Sequence, residues 1–139
     1  MFDTIVWGTD GSEAADHALP LVNRLAAPPA RLIVVHTDEL MAGRAGGLPV
    51  HLDEAEIQRK IEHQVAELRR SGIQVELHLS RGFQARAAHV IADVAREQGA
   101  DLVVVGTRGH GPVTGLLLGS VTQRLLHLAP CPVLAVPAA

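Results

Sequence analysis

Two stretches of the 139-residue chain combine glycines, hydroxyls and a carboxylate at spacings that suit an anionic ligand. The first is Gly8-Thr9-Asp10-Gly11-Ser12. The second begins at Gly106-Thr107-Arg108-Gly109 and, after nine further residues, reaches Gly119-Ser120-Val121-Thr122. Gly106 and Gly109 let the backbone turn tightly and expose its N–H groups. Gly119 clears space at an expected helix start, where unpaired N–H groups and the positive end of the helix dipole favour an anion. Ser120 and Thr122 add hydroxyl donors. These features suit phosphate oxygens held by backbone and hydroxyls, with Arg108 as the nearest cation. The chain has no Walker A loop, its sole lysine (Lys60) lies elsewhere, and no Gly-x-Gly-x-x-Gly follows the first apolar run. Each residue also has a plainer reading. Asp10 could close a turn, as Asp before Gly often does; the glycines could form a flexible loop; Arg108 could be a solvated charge.

Other chemistry is less well supported. The eight histidines are spread over separate segments without His-x-His or His-x-x-x-His pairs, so no metal site is expected. His110, inside the glycine loop, is the one histidine worth testing. Cys131, the single cysteine, lies between two prolines and reads as a packed small residue rather than a reactive thiol. No catalytic residue stands out. The formal charge of −3 argues against a nucleic-acid partner, and the three scattered aromatics (Phe2, Trp7, Phe83) form no base-stacking platform. The opening Met-Phe-Asp-Thr resembles no secretory leader, and no apolar run approaches ~18 residues. The expectation is a cytoplasmic chain without a membrane partner.

The elements that must position these segments alternate regularly. Buried-type strands are expected at Asp3–Thr9, Arg31–Thr37, Asp101–Val105 and Pro132–Val136. Ile73, Val75, Leu77 and Leu79 alternate with polar residues, which marks a half-buried edge strand. Helices are expected at Glu13–Ala27, capped by Ser12 and kinked or broken at Pro20, then at Asp53–Ser71, Gln84–Gln98 and Ser120–Leu128. Gly72 and Gly99 close the second and third helices. Asp38–Val50 is glycine-rich and reads as a loop, either a lid or loosely held. This βαβαβαβαβ order implies one doubly wound α/β domain, residues 1–139, with a parallel sheet and helices on both faces. Ligands in such folds sit beyond the strand carboxyl ends where the winding reverses. The two segments face each other there if the first and fourth strands are neighbours.

Gly106-x-x-Gly109, nine residues, then Gly119-Ser120 resembles the nucleotide-binding signature of the universal stress protein family. Val6 to Glu13 resembles that family's opening strand and turn, Val34-Val35-His36 its second strand, Asp101 to Gly106 its fourth, and Pro130 to Leu134 its fifth. The resemblance spans nearly the whole chain. It implies a five-stranded parallel sheet in the order 3-2-1-4-5, four helices on its two faces, and membership of the ATP-binding branch. Carried over by position, it places Asp10, preceded by Gly8 and Thr9, near ribose and adenine, and the Thr37 backbone at the adenine. Val105, Gly106, Gly109, Gly119, Ser120, Val121 and Thr122 match the phosphate and ribose shell, with Arg108 beside them. Thr37 departs from the usual aliphatic residue, and Trp7 is bulkier than its counterpart.

The expected function is thus an ATP-binding regulatory protein of the stress response, with Mg²⁺ as an optional companion of the nucleotide. The alternatives are a slow ATP hydrolase and a cyclic-nucleotide-binding or interaction module. The last strand is apolar and would invite pairing if left bare, and the resemblance also points to dimers joined there. A homodimer through residues 132–136 is therefore expected.

Overall fold

The computed structural model describes residues 1–40, 54–83, 86–107 and 119–138. Five parallel strands form one sheet: β1 (Thr4–Gly8), β2 (Arg31–Leu40), β3 (Gln74–Phe83), β4 (Leu102–Gly106) and β5 (Val133–Val136). Their order is β3-β2-β1-β4-β5, as the resemblance implied. The helices are α1 (Glu13–Asp16), α2 (Leu19–Leu25), α3 (Glu54–Arg70), α4 (Ala87–Glu97) and α5 (Ser120–Leu128).

Alternation along the strands builds two apolar layers. Ile5, Trp7, Leu32, Val34, Leu102 and Val104 face Val22 of α2 and Ile61, Val65 and Leu68 of α3. Val6, Ile33, Val35, Val103 and Val105 face Ala88, Ile91, Ala92 and Ala95 of α4 and Leu125 of α5. Central strands β1 and β4 are covered on both sides, which is why they read as unbroken apolar runs. Each such side chain contributes about 1.5–3 kcal/mol when buried.

Local signals set most boundaries. Ser12 Oγ accepts from the N–H of Ala15 at 3.1 Å and caps α1. Pro20 carries no N–H, so the expected first helix breaks: α1 stops at Asp16, and Pro20 stands in the first turn of α2. Gly72 and Gly99, at φ +94° and +64°, end α3 and α4 in the left-handed conformation, as their placement suggested.

One expectation is corrected. Asp38–Leu40 continues β2 instead of starting a loop, and β3 runs on to Phe83. Pairing of β1 with β2 ends at Gly8↔Val35, whereas β2 and β3 remain paired from His36↔Leu79 to Leu40↔Phe83. Cross-strand polar pairs stabilise this ribbon. Thr37 Oγ1 is 3.1 Å from Ser80 Oγ, and Arg81 Nε donates to Asp38 Oδ2 at 3.3 Å. Residues 41–50 of the expected loop lie outside the described residues, as do Asp53, Gln84, Arg108, Gly109 and His110.

Candidate functional site

The winding reverses between β1 and β4. These strands pair through Ile5↔Leu102, Val6↔Val103 and Trp7↔Val104, so their carboxyl ends lie side by side. The described parts of the two candidate segments therefore lie at the topological switch point.

On the β1 side, Gly8 is a packing requirement. A Cβ there would lie 2.5 Å from Ile91 Cδ1 and 3.2 Å from Val105 Cγ1, so α4 approaches β1 only over a glycine. Thr9 extends the ladder by donating its N–H to Val35 O at 3.0 Å. Its Oγ1 accepts from Gly11 N at 3.1 Å, and Asp10 Oδ1 accepts from Ser12 N at 2.9 Å. Asp10 thus does the turn-closing work its position before Gly suggested. Gly11 sits at φ +75°, and a Cβ there would also meet Ile57 Cγ2 at 2.7 Å.

On the β4 side, Val105 is buried against the α4–α5 layer and Gly106 ends the strand. Thr107 donates its N–H to Val136 O, and its own carbonyl accepts from Gly119 N at 2.7 Å. Thr122 Oγ1 donates to Gly106 O at 2.8 Å. These bonds seat the first turn of α5 on the end of β4. Gly119 is the N-cap, extended at φ −62° and ψ 157°, and no side chain caps the helix. The first-turn N–H groups, which cannot bond within a helix, point out from this end. Ser120 is exposed, Val121 half-buried and Thr122 buried.

Thr37 stands on the β2–β3 ribbon that outruns β1 and forms a side wall beside the turn. The structure thus brings Gly8, Thr9, Asp10, Thr37, Val105, Gly106, Gly119, Ser120, Val121 and Thr122 to the carboxyl end of the sheet.

Two further residues that sequence reasoning did not single out reach this turn, and a third, Glu54, meets one of them. Lys60 Nζ, on α3, donates to Gly11 O at 2.8 Å and pairs with Asp16 Oδ2 at 2.5 Å. His36 Nδ1 lies 2.9 Å from Thr9 O, and its Nε2 lies 2.7 Å from Glu54 Oε1. These contacts span 49, 27 and 18 residues for Lys60–Gly11, His36–Thr9 and His36–Glu54, so no local pattern announces them. Polar residues on the inner side of a strand (His36) and of a helix (Lys60) were the available signal.

Cys131 packs half-buried against the α4–α5 layer. Burial, with a smaller contribution from the Asp101 carboxylate, pushes its thiol above the ordinary range, consistent with a packed residue. Among the described residues no group of three or more His, Cys, Asp and Glu side chains could hold a metal ion, and no helix is long and apolar enough to cross a membrane.

The family model for the universal stress protein family matches residues 1–137. The chain belongs to the universal stress protein family. A family member from Thermus aquaticus, named for its place in the 3′ region of QAH/OAS sulfhydrylase, is 38% identical over 143 residues, covering 98% of this chain and 99% of the relative. Among solved structures, the hypothetical protein MJ0577, described as a structure-based assignment of biochemical function, aligns with a TM-score of 0.79 and 26% identity over 100% of this chain and 98% of its own. A universal stress protein in complex with cAMP aligns with a TM-score of 0.68 and 26% identity over 99% and 98% of the two chains.

Proposed function

We propose that the crevice between the β1 turn and the start of α5 binds an adenine nucleotide, and that its occupancy alters conformation or partner choice. The observation that carries this reading is the first turn of α5. It is bonded onto β4 at the switch point, starts at a glycine, and has no side-chain cap. Such an end suits a phosphate. Ser120, Val121 and Thr122 would supply the anion site, with Gly106, Gly109 and Arg108 of the connecting segment. Asp10 would meet the ribose, and the Thr37 backbone the base. ATP, alone or with Mg²⁺, is the proposed ligand, and a regulatory role in the stress response rests on family membership.

The test begins with the protein as purified. Denaturation followed by mass spectrometry of the released small molecules should yield ATP or ADP at close to one per chain, or calorimetric titration of empty protein should show ATP binding. If neither occurs, the proposal fails. A second reading, a cyclic-nucleotide module, is favoured by the cAMP complex of a structural relative. Competition between ATP and cAMP separates the two.

The proposed assembly is a homodimer through β5. This strand pairs with β4 on one side, and Val133–Val136 are only half-buried. Light scattering at micromolar concentration should give twice the chain mass of 14.7 kDa.

A further inference from the structure

Two carbonyl oxygens bracket Asp10, and each meets a side chain from outside the turn. Lys60 holds Gly11 O, and His36 Nδ1 lies 2.9 Å from Thr9 O. A carbonyl only accepts, so His36 carries a proton on Nδ1. Its other nitrogen, Nε2, is 2.7 Å from Glu54 Oε1. Two bare lone pairs would repel at that separation, so a proton lies between them. The pair therefore holds one proton more than a neutral ring beside an ionised carboxylate. The ring is 3% exposed and the Glu54 side chain 27%, so the carboxylate reaches water while the ring does not.

We infer that His36 is a positioning residue for the crevice: Nδ1–H fixes the Thr9 carbonyl ahead of Asp10, and the proton shared with Glu54 keeps the ring in place. The inference rests on the nucleotide reading of this site. The surroundings leave Glu54 as the partner of the ring. On the same sheet face, Trp7 of β1 and Leu79 of β3 are uncharged. Asp38, two residues along β2, pairs with Arg81 of β3, and Lys60 of α3 pairs with Asp16 of α1. Gln58 of α3 donates to Glu54 Oε1 at 3.2 Å, and Asp10 bonds within its own turn.

Loss of the shared proton sets the Nε2 lone pair against the carboxylate. Glu54 then turns to water, the ring is no longer held, and the tether on Thr9 slackens. Nucleotide affinity falls when that proton is lost.

The experiment is calorimetric titration of the full chain with ATP from about pH 5.5 to about pH 9. Titration of ATP's own phosphate is common to every variant. Wild type should weaken by about fivefold more than the variants at the alkaline end, the difference between a charge-assisted and a neutral hydrogen bond. His36→Asn keeps an N–H donor for Thr9 O without a titrating ring, and should bind ATP with a flatter profile. Glu54→Gln can donate to a neutral Nε2 and should flatten it likewise. Ring-nitrogen NMR shifts of His36 supply a readout without ligand, with a persistent Nδ1–H expected. The inference is overturned if either variant keeps the wild-type profile, or if the ring carries no Nδ1 proton. If wild type binds no adenine nucleotide at any pH, the crevice reading itself fails and takes this role with it. A normal ring-nitrogen titration would then show which of the two was at fault.

Discussion

The two halves of the candidate site are held by different means. On the β1 side, side chains from distant elements brace the turn: His36 at Thr9 O, Lys60 at Gly11 O, and α4 and α3 packed over Gly8 and Gly11. On the α5 side, the helix rests on β4 through Gly119 N to Thr107 O and Thr122 Oγ1 to Gly106 O. The difference follows from what each half must present. A turn carrying a carboxylate has few hydrogen bonds of its own, and a single one contributes only about 0.5–1.5 kcal/mol, so it needs outside support. A helix start presents N–H groups whose direction the helix already sets, so fastening its first turn to a strand suffices.

Substitutions can break this contrast. The largest effect is expected from Gly8→Val, which forces Ile91 and Val105 apart. Overpacking of this kind should cost about 3 kcal/mol in chemical denaturation. Gly11→Ala adds a methyl against Ile57 in a left-handed conformation, and should cost about 2 kcal/mol by the same measurement. Gly119→Val is the counterpart on the other side. Its backbone, at φ −62° and ψ 157°, lies in the extended region that any residue adopts. Stability should fall by no more than about 1 kcal/mol, the cost of an apolar N-cap, while ATP affinity drops at least about tenfold, or about 1.4 kcal/mol. Unchanged ATP affinity would remove α5 from the site. Lys60→Met should cost about 1 kcal/mol in stability and weaken ATP binding, whereas Lys60→Arg restores a donor at Gly11 O.

The smallest effect lies at the amino ends of β1 and β4, away from the crevice. Burial alone would raise the carboxyl pKa of Asp101, but N–H donation from Asp3, Thr4 and its own backbone outweighs it and holds it below the ordinary value. The charged form is favoured on folding, so its contribution is present above the unfolded carboxyl pKa and lost as pH falls through the folded one. Asp101→Asn should therefore lower the melting temperature near neutral pH, with the gap to wild type closing in strong acid. ATP affinity should not change, which would separate this anchor from the braces around Asp10.

Much of the fold was legible because its signals are local. Ser12 before Glu13, Gly72 after Arg70, and Pro20 inside an expected helix each act on neighbouring backbone, and each acts as read. The apolar runs of β1 and β4 and the alternation of β3 likewise matched the faces these strands bury. The extension of β2 to Leu40 was not legible, because Asp38 and Glu39 disfavour a strand when taken alone. The Arg81–Asp38 bond and the pairing with β3 override that preference.

The sequence by itself determined the order of elements, the sites where helices start and stop, and the two candidate segments that follow β1 and β4. Those depend on apolar periodicity, on glycine and proline, and on motif resemblance, all of which are written along the chain. Only the tertiary structure decided that β2 and β3 outrun β1, that Asp10 closes its own turn, and that His36, Glu54 and Lys60 brace the site. Each brace joins residues at least 18 apart, so the His36–Thr9 contact exists only once β1 and β2 have paired, and those of Glu54 and Lys60 only once α3 has packed across the sheet.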